Sequence, residues 1–423
     1  MAGIGFAPAR TFAELQRARR AVLAQVAVFA AGAISFVPIA NFTVTGLSVV
    51  CLLLVPGFLL MKHRGIELVP LVLAALGWIS YIVSGLVNGV SMLWPNAIAP
   101  AAFSLYLVGL TVITGRAVAS IATALAGVAA GSVVFFLIRG IELTRTGSFL
   151  DLWKYGIAQS VTILILYGMA RKARLPRFAF PATLMLLGLA SLGLNFRSHA
   201  AICLVSAAIV LTRQIVGSRI PRGWQFGGIA VFGIAIAYAM PIVARAGVFG
   251  PALQHKTLEQ QATHLPLLLA ARTEPPMSIT AILERPLLGW GSAQKLTPDL
   301  YTAAEHLAVR MGFAPTFPFE LYWRLPPRDY SAMHSIVLGS WVEGGVLAAL
   351  LPLWLLVACC GLVWNLERYG AWAPLVVTIA VQGIWDLVYS PWTYNTLPVY
   401  ACIALFYSAA HFVRPVVGDT GPP

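Results

Sequence analysis

Residues 96–138 read NAIAPAAFSLYLVGLTVITGRAVASIATALAGVAAGSVVFFLI, and Arg116 is the one charged side chain in the stretch. On either side of it lies an apolar run, 96–114 and 117–138. Each meets the roughly 20 residues an α-helix needs to cross about 30 Å of hydrocarbon. A chain that reverses on Gly115-Arg116 between two such runs is a helical hairpin in a membrane, because lipid offers the backbone no hydrogen-bond partners and the segment must supply its own.

Working outward from this hairpin, comparable runs occur at 21–39, 43–61, 69–87, 152–170, 178–195, 199–216, 226–244, 335–363, 371–389 and 397–413, which predicts about twelve transmembrane helices in all. The 423 residues are 59% hydrophobic and only 10% charged, whereas soluble domains carry about a quarter charged residues. A water-solvated globular enzyme is therefore excluded, and the expected fold class is an all-α polytopic membrane protein. Arg17, Arg19 and Arg20 precede the first run as they would in a signal peptide. A second span follows after only a few residues, so the run reads as an uncleaved first helix. All five cysteines (Cys51, Cys203, Cys359, Cys360, Cys402) lie inside apolar runs with no CxxC spacing, so neither a disulfide framework nor a zinc site is indicated.

The formal charge is +13, which on a soluble protein would point to nucleic acid. Here it sorts by topology. Arg10, Arg17, Arg19, Arg20, Lys62, Arg64, Arg116, Arg171, Lys172, Arg174, Arg177, Arg213, Arg219, Arg222, Arg368 and Arg414 all fall in alternate connections, with only Glu14, Glu67, Glu367 and Asp419 beside them, a net +12. The connections around Asn41 and from Asn88 to Asn96 carry no lysine or arginine. By the positive-inside rule the first set is cytoplasmic, as are both termini. The charge is then a topological label, and no nucleic-acid partner is expected. The opposite face is nearly neutral.

The chain divides into residues 1–244, the first nine spans; 245–333, a large extracytoplasmic loop; and 334–423, the last three spans with a short tail. The loop is rich in proline, with helix-compatible stretches at 252–271, 277–285 and 300–311. Loops of this length are usually functional. No Walker A, GxGxxG, HExxH, GxSxG or Asp-x-Asp pattern occurs, so neither a cofactor nor a catalytic metal is expected. Polar residues at the outer ends of spans remain, where ionisable groups are costly and often functional.

The first of these clusters is Asn195-Phe196-Arg197-Ser198-His199, squeezed between two apolar runs. Arg197 can grip phosphate oxygens with its planar fork, or snorkel to the headgroups of membrane lipids. The second cluster is Arg272 followed by Pro286-Leu287-Leu288-Gly289-Trp290-Gly291. Trp290 either stacks on a sugar ring or is a buried aromatic in an ordinary turn. The third is Met333-His334-Ser335, leading to Glu343-Gly344-Gly345. His334 is a candidate base or phosphate ligand, placed in a first helical turn if Ser331 is the N-cap. Glu343 is about 13 Å deeper on a straight helix and on nearly the opposite side, which excludes a direct pair with His334 and favours a packing carboxylate bonded to another span. The run from 334 is longer than one crossing, so a break near Gly344-Gly345 is expected.

In this order and on this face, Arg197-Ser198, Arg272, the Pro-Leu-Leu-Gly-Trp-Gly turn, His334-Ser335 and Glu343-Gly344 resemble the O-antigen ligase and O-antigen polymerase superfamily. Asn195-Phe196 and Ser335 depart from its pattern, where serine and asparagine are usual. The resemblance implies a GT-C-like, metal-independent glycosyltransferase of the bacterial inner membrane with its active site facing the periplasm. Its donor would be an undecaprenyl-diphosphate-linked O-antigen glycan and its acceptor the lipid A-core oligosaccharide. Arg197 and Arg272 would bind the diphosphate and His334 would be catalytic, with Trp290, Glu343 and His199 in sugar-contacting or structural roles. Twelve spans with the large loop between the ninth and tenth favour the ligase over a polymerase that extends glycan on the same carrier. A polytopic lipid or glycan transporter is the alternative of another class, though the informative polar residues cluster at one face and not at mid-membrane, where transporters place them.

Overall fold

The computed structural model describes residues 12–40, 43–140, 149–172, 175–217, 219–248, 254–255, 257–258, 272–323 and 333–411. The expected helical stretch 252–271, Ser331 as a cap, and the tail from Arg414 lie outside the described residues.

The helices run in chain order as α1 (Phe12–Ala33), α2 (Gly46–Leu53), α3 (Val55–Leu60), α4 (Gly65–Asn88), α5 (Pro95–Thr114), α6 (Val118–Arg139), α7 (Phe149–Ala170), α8 (Ala179–Gly193), α9 (Arg197–Val216) and α10 (Arg222–Arg245). They continue as α11 (Pro275–Glu284), α12 (Pro298–Arg310), α13 (Phe319–Trp323), α14 (Ile336–Gly344), α15 (Val346–Trp364), α16 (Ala373–Tyr389) and α17 (Leu397–Ala410). Among the described residues eight helical spans are long and apolar enough to cross a membrane, those of α1, α4, α5, α6, α7, α9, α15 and α16, the last counted from Leu366. The protein is a multi-pass helical membrane protein.

Several expected spans are modified locally, each for a readable reason. The run 43–61 is split into α2 and α3, because Pro56 has no N–H to continue the ladder and starts a new helix as its N2 residue. The run 21–39 tightens to a 3-10 turn at Ile34–Phe36 and leaves the helix after it. Pro38–Ala40 (β1) pairs antiparallel with Val44–Thr45 (β2), a small exception to an all-α fold. Helix α8 is only 15 residues long and α17 only 14. The expected break after Gly344 is present: Gly345 separates α14 from α15 at φ 78°, ψ −175°, a region open essentially to glycine alone.

Close packing of the spans relies on small residues. On α6, Gly127 and Gly131 form a GxxxG pair against α1, and a Cβ on either would collide with the carbonyl of Phe29 or Ala33. The main core then runs through α4–α6, α9 and α15–α17, with Phe103, Leu110, Leu125, Leu355, Val376 and Ile403 buried in it. At the end of the bundle remote from the site described below, acids and cations assigned to one face do meet: Arg116 with Glu67 at 2.6 Å, and Arg213 and Arg222 with Glu367 at 2.8 and 3.2 Å.

At the opposite end, where α4 hands over to α5, residues 272–323 form a second core around Met277, Trp290, Leu300, Phe313 and Trp323, closed by Val342 of α14. This unit is stitched into the broken α14–α15 helix. The carbonyls freed by the break are all taken: Val342 by the Trp290 amide (2.8 Å), Glu343 by the Gly291 amide and Ser84 Oγ (both 2.8 Å), and Gly344 by Ser80 Oγ (2.6 Å). In return the Val346 amide donates to the Pro286 carbonyl at 3.1 Å. Gly289 and Gly291, both at positive φ, admit this approach of backbone to backbone.

Candidate functional site

Helix α16 stops at Tyr389 because Ser390 turns extended ahead of Pro391. Its last carbonyls have no intrahelical donor, and two chain segments distant in sequence supply one each. Arg272 Nε donates to the Tyr389 carbonyl at 3.1 Å, and Ser335 Oγ to the Leu387 carbonyl at 3.4 Å. A cation at a helix C-terminus is also favoured by the macrodipole. One helix end thereby holds the 272 arm and the 334 arm side by side.

Between the two arms lies a contact that the sequence did not reveal. His334 Nδ1 is 2.8 Å from Glu274 Oε1, with both side chains largely shielded from solvent. A carboxylate only accepts, so in the pair of a neutral imidazole with the Glu274 carboxylate the proton of this bond is on Nδ1 and the lone pair on Nε2. Glu274 is itself fixed by position. It is the N-cap of α11, ahead of Pro275 and Pro276, and the neighbouring Thr273 carbonyl accepts from the buried Trp323 indole at 3.1 Å. On the other arm the cap is Ser335, whose Oγ accepts from the Leu338 amide at 3.2 Å. His334 thus stands immediately before the helix and not within its first turn, as a Ser331 cap would have had it.

Arg197 opens α9 on the same end of the bundle. The α8–α9 connection is only Leu194-Asn195-Phe196, and it closes as a Schellman turn: the Phe196 amide donates to Ser191 and the Asn195 amide to Leu192. Asn195 is left-handed at φ 55°, which asparagine tolerates best after glycine. Arg197 is half-buried and Nη1 lies 3.4 Å from Thr257 Oγ1. Helix α9 packs on α16, with His199 beside Gln382 of that helix. Arg272, Glu274 and His334 form one group. Arg197 stands on the adjoining helix, with Thr257 Oγ1 as a hydrogen-bond neighbour.

The other expected residues are in the framework. His199 is 1% exposed, bonded through Nε2 to Thr162 Oγ1 at 3.0 Å and stacked on Phe196. Trp290 is also 1% exposed; its indole donates to the Ala281 carbonyl at 3.0 Å, and the Arg285 guanidinium covers its ring at 3.9 Å. With both faces enclosed it has no surface for a sugar. Glu343, 2% exposed, accepts from Trp94 Nε1 (3.1 Å), Asn96 Nδ2 (2.6 Å) and the Ala293 amide (3.0 Å), tying α5 to the stitched segment.

Chemically, the group offers a histidine with an oriented lone pair and an arginine whose Nε is already spent. Among the described residues no hydrogen bond is recorded to the two terminal nitrogens of Arg272, which are the prongs that chelate an oxyanion. No set of three His, Cys, Asp or Glu side chains converges as a metal site requires, among the described residues. Glu274 was detectable only as an acid two residues beyond Arg272; nothing in the sequence announces a partner 60 positions away. No family model matches the chain, and no curated protein matches it.

Proposed function

We propose that the protein is an O-antigen ligase: a metal-independent, GT-C-like glycosyltransferase of the bacterial inner membrane with twelve spans, cytoplasmic termini and its active site facing the periplasm. It would transfer an O-antigen glycan from undecaprenyl diphosphate to a hydroxyl of the lipid A-core oligosaccharide. The observation that carries this reading is the Arg272–Glu274–His334 group at the end of α16, which pairs an oriented base with a phosphate-binding fork.

In this mechanism His334 Nε2 takes the proton of the acceptor hydroxyl while Glu274 holds Nδ1 and balances the imidazolium that forms. The hydroxyl oxygen bonds to the anomeric carbon. The bond from that carbon to the diphosphate oxygen breaks, and the electron pair leaves with the lipid diphosphate. Arg272 and Arg197 neutralise the charge that develops on the leaving group, the work a divalent cation does in other transferases.

The test is transfer by the purified protein from undecaprenyl-diphosphate-linked glycan to core lipid. Alanine at His334 lowers turnover by about 10²–10⁴, and alanine at Arg272 or Arg197 lowers both donor binding and turnover. Wild-type turnover in all three variants, or activity that EDTA abolishes and a divalent ion restores, overturns the proposal. Glycan extended on the carrier with no transfer to core lipid assigns the protein to the polymerases instead.

A further inference from the structure

Helices α1, α6 and α7 leave a groove on the flank of the bundle, enclosing about 390 Å³ and lined by Ala21, Val22, Gln25, Phe29, Tyr167 and Arg171 among others. It is at the other end of the molecule from the α16 site. Glu343 takes Trp94 and Asn96 at the start of α5, whereas the groove lies by the first turns of α6, one membrane-length helix later. We propose that this groove binds the phosphate and one acyl chain of an anionic glycerophospholipid.

The wall of the groove is built before any ligand arrives. Gln25 Nε2 donates to Ser120 Oγ at 3.2 Å, Thr123 Oγ1 to Gln25 Oε1 at 2.7 Å, and Thr123 Oγ1 is 3.1 Å from the Tyr167 hydroxyl. This polar relay satisfies itself at mid-wall and ties both α1 and α7 to α6. On the same helix Ala21, Val22, Val26 and Phe29 flank Gln25 on both sides, an apolar strip about 12 Å long, eight steps at 1.5 Å each. That is the shape of a chain-binding channel, open on the side that faces lipid.

Charge selects the headgroup. Arg171 lies exposed at the mouth, Lys172 follows it, and Arg17 lies one turn before Ala21 on the same helical line as Ala21, Gln25 and Phe29. A guanidinium beside an exposed apolar strip suits a phosphodiester, which brings both the anion and the chain. A zwitterionic lipid carries the same phosphate but sets its own ammonium beside these cations, and a free phosphate leaves the strip unfilled. Of these cations Arg171 lines the groove itself, and one cation near an anionic surface is worth about 1 kcal/mol, or about fivefold in affinity.

Native mass spectrometry and thermal unfolding of the delipidated protein test this with phosphatidylglycerol, phosphatidylcholine of the same chains, and inorganic phosphate. Phosphatidylglycerol is expected to be retained about fivefold better than phosphatidylcholine and to raise Tm; inorganic phosphate should do neither. Arg171→Gln should erase the preference between the two lipids, and Ala21→Trp, which fills the channel, should lower retention of both. Equal retention of the two lipids by the wild type, or a preference unchanged in Arg171→Gln, overturns the proposal, as does stabilisation by inorganic phosphate alone.

Discussion

His334 and Glu274 are 60 residues apart in sequence and 2.8 Å apart in space, and substitutions at the two should separate their roles. His334→Ala removes the proton acceptor. Glu274→Gln keeps an oxygen near Nδ1 but gives up the charge that steadies the imidazolium, a charge-assisted bond worth about 1.5–3 kcal/mol. Its expected effect is a ten- to hundredfold fall in kcat with donor KM unchanged, read from steady-state transfer; a rise in KM alone would instead make Glu274 a framework residue. Arg272→Lys is not conservative here, since lysine has neither the Nε that holds the Tyr389 carbonyl nor a two-pronged end. About a tenfold rise in donor KM is expected, measured on the same assay. His334 was legible in the sequence because it stands where an apolar run begins, and Arg272 only through its place ahead of the Pro-Leu-Leu-Gly-Trp-Gly turn in the pattern of the resemblance. Glu274 was not, because an acid in a proline-rich loop looks like any solvated charge until the fold gives it a partner.

The informative elements are those that fail to be ideal. The sequence marked the break between α14 and α15 through paired glycines in a run too long for one crossing, and it marked Glu343 as a carboxylate needing a partner. It did not indicate that the Pro286–Gly291 turn would occupy the break, because backbone amides carry no residue-specific signature. Two variants measure this junction. Glu343→Ala leaves three donors, from Trp94, Asn96 and Ala293, without their acceptor; about 2–4 kcal/mol of stability should be lost, seen as a lower unfolding midpoint in detergent. Gly345→Ala places a methyl against the Leu287 carbonyl from a backbone region costing non-glycine residues about 1–3 kcal/mol. It should destabilise to a similar degree, with transfer activity falling in parallel as the 272–323 unit detaches. The shortness of α8 and α17 and the strand pair after α1 were equally hidden, since composition sets how apolar a run is and local backbone sterics decide where its helix stops.

At the scale of the molecule, the hydropathy and the cation pattern were sufficient for a multi-pass helical protein, because lipid permits so few architectures. In a chain whose natural cysteines are replaced, a cysteine at Lys295 should react with a membrane-impermeant maleimide on intact cells, and one at Arg116 only after permeabilisation. The reverse pattern would invert the proposed topology. The junction at Gly345 also bears on how the protein is made. Residues 286–293 emerge from the ribosome some fifty positions before the carbonyls of Val342 and Glu343 that the Trp290 and Gly291 amides must meet. The 272–323 unit is therefore unfinished until α14 and α15 are made, and Arg272 has no Tyr389 carbonyl to hold until α16 follows. Assembly of the candidate site is thus a late step of synthesis: a nascent chain stopped before α16 contains Glu274 and His334 but lacks the helix end that holds the two arms side by side.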